Sequence, residues 1–155
     1  MNQKKELSQN QVVLSVFSKF SYNESIYSLF RTWPNKKICY VTLNKPAASL
    51  QWAFKLNRID PGNIFFIDAV SKQLGKESSD RNVQLVSSPA ALTEISIALQ
   101  EAMKARAFDV VFFDSLSTLN LHEKSSAADK FVGNIINRIK NERRQGVFTC
   151  LQEDV

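Results

Sequence analysis

The stretch that most constrains this chain runs from Phe108 to Leu119: Phe-Asp-Val-Val-Phe-Phe-Asp-Ser-Leu-Ser-Thr-Leu. Four consecutive apolar residues, Val110 to Phe113, lead into Asp114. A short unbroken run of β-branched and aromatic residues has no polar face, so it fits a strand buried on both sides, as in a parallel sheet. Open sheets of that kind place their ligand sites beyond the carboxyl ends of the strands. Asp114 stands there, where a carboxylate either holds a ligand such as magnesium or caps the turn.

The rest of the chain repeats the pattern. Val12 to Phe17, Ile38 to Leu43, Ile64 to Ile67 and Val147 to Leu151 read as further strands, with Val83 to Val86 as a short one. Between them lie segments of helical spacing. Ser21 and Glu24 have the spacing of a capping box, and Ile26, Phe30 and Trp33 fall on one face of the helix that follows. Pro46 suits the first turn of a second helix carrying Leu50, Ala53, Phe54 and Asn57. Asp60-Pro61-Gly62 is a turn, and residues 71 to 82 read as an exposed loop. Ser88-Pro89 is expected to start a third helix reaching Arg106, with Leu92, Ile95, Leu99, Ala102 and Met103 as its stripe. A polar loop, Asn120 to Ser126, is expected before a long helix from Ser126 to Gln145, stopped by Gly146. Residues 1 to 10 read as a flexible arm, and residues 11 to 155 as one domain. Alternating strands and helices imply an α/β fold: a three-layer open parallel sheet with helices on both faces.

Composition narrows the function classes. With 155 residues, 44% apolar and 23% charged, the chain is long enough for one well-formed core. A net charge of +5 does not by itself argue for nucleic acid. No apolar run approaches the roughly 18 residues of a membrane span, and the start, Met1-Asn2-Gln3-Lys4-Lys5-Glu6, lacks a signal-peptide core. A cytoplasmic location is the expectation. Cys39 and Cys150 fall inside strands and read as buried free thiols, not as a disulfide or metal pair. The single histidine, His122, excludes a multi-histidine metal site and reads as solvated.

Several stretches together resemble the RecA superfamily, in particular its archaeal KaiC-like ATPase branch. Ile38-Cys39-Tyr40-Val41-Thr42-Leu43-Asn44-Lys45-Pro46 resembles that branch's second core strand, and Asn63 to Ser71 the strand after it. Phe108 to Leu119 is similar to its Walker B strand, which commonly continues Asp-Ser-Leu-Ser. The resemblance spans residues 11 to 152 and implies a RecA-like P-loop core, here minimal or truncated. It also locates departures. A P-loop reads Gly-x-x-x-x-Gly-Lys-Ser/Thr, because glycines let backbone N–H groups curl around phosphate. Aligned on the end of the first strand, Phe17 and Tyr22 stand at the glycine positions, Asn23 at the lysine and Glu24 at the Ser/Thr. No glycine precedes Gly62. The glutamate that polarises water after the second strand is matched by Asn44-Lys45, which offers no general base.

The resemblance with these losses implies a pseudo-ATPase: not an enzyme, with no catalytic residue and Asp114 as a remnant of Walker B. Its expected role is a protein-interaction or regulatory module in signal transduction. By resemblance the partner is a second copy or an active KaiC-like homologue, with neither nucleic acid nor membrane involved. ATP and magnesium are not expected as cofactors. The alternative is a nucleotide or anion sensor that binds without hydrolysis through Asp114, Lys19 and Lys45, helped by Ser18 and Ser21. A receiver-like signalling domain ranks lower, because the first strand ends Val16-Phe17-Ser18-Lys19 without an acidic pair and no lysine follows Leu151. The basic run Arg138, Lys140, Arg143, Arg144 lacks interleaved aromatics and reads as a solvated or protein-docking face.

Overall fold

A computed structural model describes residues 11–154. The expected arm, residues 1 to 10, lies outside them. Among the described residues six strands form one parallel sheet in the order β1-β6-β5-β2-β3-β4. They are β1 (Val12–Phe17), β2 (Ile38–Thr42), β3 (Ile64–Asp68), β4 (Val83–Leu85), β5 (Val110–Asp114) and β6 (Gln145–Leu151). The helices are α1 (Tyr22–Arg31), α2 (Ala47–Leu56), α3 (Leu92–Ala105), α4 (Leu116–His122) and α5 (Ser125–Asn141). Every residue of β2, β3 and β5 is buried, as their unbroken apolar runs require.

The sheet is sandwiched. On one face α1 and α2 lay Ile26, Leu29, Phe30, Leu50 and Phe54 on Ile38, Tyr40, Phe66 and Phe112. On the other, α3 and α5 lay Ile95, Leu99, Ile135 and Ile139 on Val41, Ile67, Val111 and Phe113. Burying each such side chain is worth about 1.5–3 kcal/mol, so the two stripes fix which way each helix faces. Cys39 and Cys150 are buried free thiols, as expected.

Several boundaries differ from the sequence reading, each for a local reason. Ser21 is the N-cap of α1 but caps nothing with its side chain; its Oγ pairs with Ser18 Oγ at 2.8 Å. Ser88-Pro89 does not start α3. Glu94 instead reaches back to the amide and hydroxyl of Ser87 at 3.0 and 2.5 Å, holding residues 88 to 91 as a turn. The loop expected at residues 120 to 126 is mostly helix: Ser115 Oγ accepts from Thr118 N at 3.1 Å and starts α4, with His122 exposed at its end.

Gly146 does not stop α5. Arg143 takes the left-handed position, φ 55°, with Arg143 N on Lys140 O and Arg144 N on Ile139 O at 3.1 and 3.0 Å. Arg58 ends α2 in the same way, φ 61°. Gly146 lies inside β6, where a Cβ would meet Ile139 Cδ1 at 2.9 Å, so its glycine lets α5 press onto the sheet. Nor is Arg144 part of a solvated face. Its guanidinium donates to the carbonyls of Met103 and Phe108 at 2.7 and 3.2 Å, tying the end of α3 to the start of β6.

Candidate functional site

Strands β2 and β5 are neighbours, yet the chain leaves them for opposite faces, into α2 after β2 and into α4 and α5 after β5. Such a switch point opens a crevice at the carboxyl ends of the two strands. Strand register sets what faces it. Thr42 pairs with both Asp68 and Asp114, and Ser15 pairs with Thr149, which lies beside Asp114. Ser15, Thr149, Asp114, Thr42 and Asp68 therefore form a polar row across the buried sheet, each no more than 3% exposed.

The two acids of the row are held differently. Asp68 is bound mainly by backbone, through three amides and one hydroxyl. Its Oδ2 accepts from Ala47 N at 2.8 Å and Ser71 Oγ at 2.6 Å, and its Oδ1 from Val70 N and Ser71 N at 2.8 and 2.9 Å. A carboxylate on the first amide of α2 also meets the positive end of the helix dipole, so Asp68 anchors the turn and the helix.

Asp114 is bound by side chains from separate elements. Tyr22, the first residue of α1, donates its hydroxyl to Oδ1 at 2.5 Å. Asn44, after β2, donates Nδ2 to the same oxygen at 2.6 Å. Tyr40, from the middle of β2, donates its hydroxyl to Oδ2 at 2.6 Å. Thr149 of β6 stands 3.4 Å from Oδ1 and 2.5 Å from the Tyr22 hydroxyl. Thr118 of α4 donates its hydroxyl to Asn44 Oδ1, which fixes the amide orientation. The peptide bond from Asp114 to Ser115 is cis.

Burial pushes the Asp114 carboxyl above the ordinary Asp range, and the Tyr22, Tyr40 and Asn44 donors and the nearby Lys45 charge pull the other way. Burial and the adjacent carboxylate push both tyrosine hydroxyls up, so they stay protonated donors.

A cleft of about 280 Å³ opens above this cluster. Of the residues singled out in the sequence, it brings together Asp114, Lys19 and Lys45. Lys45 Nζ donates to Asn23 Oδ1 at 2.9 Å, across the mouth between β2 and α1. Ser18 and Ser21 bond to each other and do not line the cleft. Tyr40 and Thr149 were missed by the sequence reading. The signal was parity: Tyr40 and Thr42, two residues apart on β2, share a face, and the register that pairs Thr42 with Asp114 puts Tyr40 on the Asp114 face. Among the described residues no group of three or more His, Cys, Asp or Glu is placed to hold a metal ion.

The element order, the polar row and the crevice define an open parallel α/β sheet with helices on both faces and a switch-point site. In fold the chain is similar to the crystal structure of a KaiC-like protein from the hyperthermophilic archaeon Pyrococcus horikoshii OT3, with a TM-score of 0.64 at 15% sequence identity. The match covers 93% of this chain and 63% of the other, so the chain spans less than two thirds of that protein's length. No protein-family model and no curated protein matches the sequence. Among the described residues no helix is long and apolar enough to cross a membrane.

Proposed function

We propose that this chain is a non-hydrolysing domain of KaiC-like fold that acts by binding a protein partner. The observation that carries the reading is the occupied environment of Asp114. Two tyrosine hydroxyls and an amide donate to its oxygens at 2.5, 2.6 and 2.6 Å. Magnesium binds carboxylate oxygen at about 2.0–2.1 Å and demands an octahedral shell of further oxygens. The donors stand where that shell belongs, and their protons point at the carboxylate, so the residues present do not fit the ion. The β1–α1 connection supports the same reading. It is four residues, 18 to 21, closed by Ser21 N on Ser18 O at 3.2 Å, with the Tyr22 ring directly after it. A phosphate cradle needs successive free amides around an open loop. Asn44 and Lys45, at the expected position of the water-polarising base, are spent on Asp114 and Asn23.

The partner on this reading is a protein: a second copy, or an active KaiC-like homologue. Phe20, 93% exposed, and Leu121, 83% exposed, stand out in solvent after β1 and within α4 and offer apolar contact. The setting is the cytoplasm, where buried free thiols stay reduced. A second reading, an anion sensor, rests on Lys19 and Lys45 lining one cleft. Titration calorimetry with magnesium-ATP, beside a phosphate-release assay, separates the two. The interaction reading expects neither heat nor release; a dissociation constant below about 100 µM favours the sensor, and turnover rejects both.

A further inference from the structure

At the opposite, amino-terminal end of the sheet, the α1–β2 and α2–β3 connections enclose a hollow of about 210 Å³. Its floor is apolar, with Phe30, Trp33 and Ile59 buried. Its rim carries three cations, Arg31, Lys36 and Arg58, against one acid, Asp60. Asp60 Oδ1 accepts from Gly62 N at 2.9 Å, and no carboxylate forms an ion pair with any of the three cations among the described residues. Arg31 donates Nε and Nη2 to the Asn57 carbonyl at 3.3 and 3.2 Å. That bond fixes the guanidinium at the rim and leaves other N–H donors of its five unspent. A second hollow, of about 360 Å³, shares Asn63 and Ile64 with the first and adds Lys37 and Arg106, so positive charge continues along this end of the sheet.

We propose that this hollow binds a small organic oxyanion, a phosphate monoester or carboxylate on an apolar body. The anion is met by Arg31, Lys36 and Arg58, and the body rests on the Trp33–Ile59 floor. Planar guanidinium groups match both oxyanions in two-point geometry, and an apolar floor next to them disfavours a bare inorganic ion. The site lies at the far end of the strands from Asp114 and stands independently of the reading given to that cleft.

Arg58 makes the test clean. It occupies a left-handed backbone position that glycine adopts without strain, so Arg58→Gly removes the charge without a folding penalty. The parent for the assay is Trp52→Phe, which leaves Trp33 as the reporter; Trp52 is 66% exposed. Trp33 fluorescence is titrated with phenyl phosphate, phenylacetate, inorganic phosphate and benzyl alcohol. The proposal expects saturable binding of phenyl phosphate, phenylacetate or both in the low-millimolar range or tighter. Inorganic phosphate and benzyl alcohol should each bind at least about tenfold more weakly. Arg58→Gly and Lys36→Ala should each weaken binding about tenfold, with the Arg58→Gly melting temperature at or above the parent's. Binding of one organic anion alone identifies the source as phosphate or carboxylate. Absence of saturation by both to about 10 mM, equal binding of inorganic phosphate, or an unchanged constant in Arg58→Gly would overturn it.

Discussion

Tyr40→Phe isolates one hydrogen bond at the centre of the molecule. Tyr40 is 0% exposed and its ring packs against Phe30, Phe54, Phe66 and Phe112 at centroid distances of 5.8, 6.0, 5.5 and 5.0 Å. Phenylalanine keeps those contacts and deletes the donor 2.6 Å from Asp114 Oδ2. Tyr40 and Asp114 are both buried at the floor of the cleft, so solvent replaces the lost donor poorly. A hydrogen bond to a charged group whose partner is left buried is worth about 1.5–3 kcal/mol, which lowers the melting temperature of a domain this size by roughly 3–12 °C. Tyr22→Phe should cost less, about 1 kcal/mol, because Oδ1 keeps Asn44 and Thr149 beside it. The cost also depends on pH. Burial raises the Asp114 carboxyl above its unfolded value, so its contribution is complete below about pH 4 and is lost as pH rises through the folded value. Removing a donor to the carboxylate raises the folded value further. The gap between Tyr40→Phe and the parent therefore widens from pH 4 to pH 8, and Asp114→Asn should flatten this part of the profile. Urea unfolding across that range measures both. A Tyr22→Phe loss as large as that of Tyr40→Phe, or a Tyr40→Phe gap equal at the two pH limits, would mean that the Tyr40 hydroxyl does not stabilise the Asp114 carboxylate as described.

Other sites give sharper contrasts. Asp68→Ala strips the partner from the buried amides of Ala47 and Ser71 and should destabilise by about 3 kcal/mol or more in urea unfolding. Arg144→Ala leaves the Met103 and Phe108 carbonyls without their donor and should cost about 2 kcal/mol, whereas the exposed Lys140→Ala should stay within about 0.5 kcal/mol by the same assay. Arg143→Gly, at φ 55°, should raise stability by about 1 kcal/mol, seen as a melting temperature roughly 2–4 °C higher. Cys39, 0% exposed and with burial pushing its thiol up to about 12, should resist a thiol reagent until the protein unfolds.

The strands were the legible part of this sequence. Runs such as Val110 to Phe113 admit no polar face, and the sheet places them in its centre. Helix ends were less legible because competing side chains decide them. Glu94 claims Ser87 and delays α3 past Ser88-Pro89, and Arg143 takes the place a glycine was expected to fill. Of the site, Asp114, Lys19 and Lys45 were readable from strand-end positions, and the cleft does bring them together. The ring of donors around Asp114 was not. Tyr22, Tyr40 and Thr149 stand 92, 74 and 35 residues away in sequence, and only the strand order and the docking of α1 make them neighbours. Tyr22 registered in the sequence as a bulky substitute for a loop glycine; its hydroxyl proves to be a ligand of the carboxylate.

On the function proposed above, Asp114 is closed to metal and nucleotide. The melting temperature with and without millimolar magnesium-ATP tests that claim. A ligand at about 100 times its dissociation constant adds about 2.7 kcal/mol, equivalent to roughly 5–10 °C here. We predict no shift beyond that given by magnesium with sodium sulfate at matched ionic strength. A shift of several degrees, abolished in Asp114→Asn and retained in Arg58→Gly, would contradict the claim and place nucleotide at the carboxyl ends of β2 and β5.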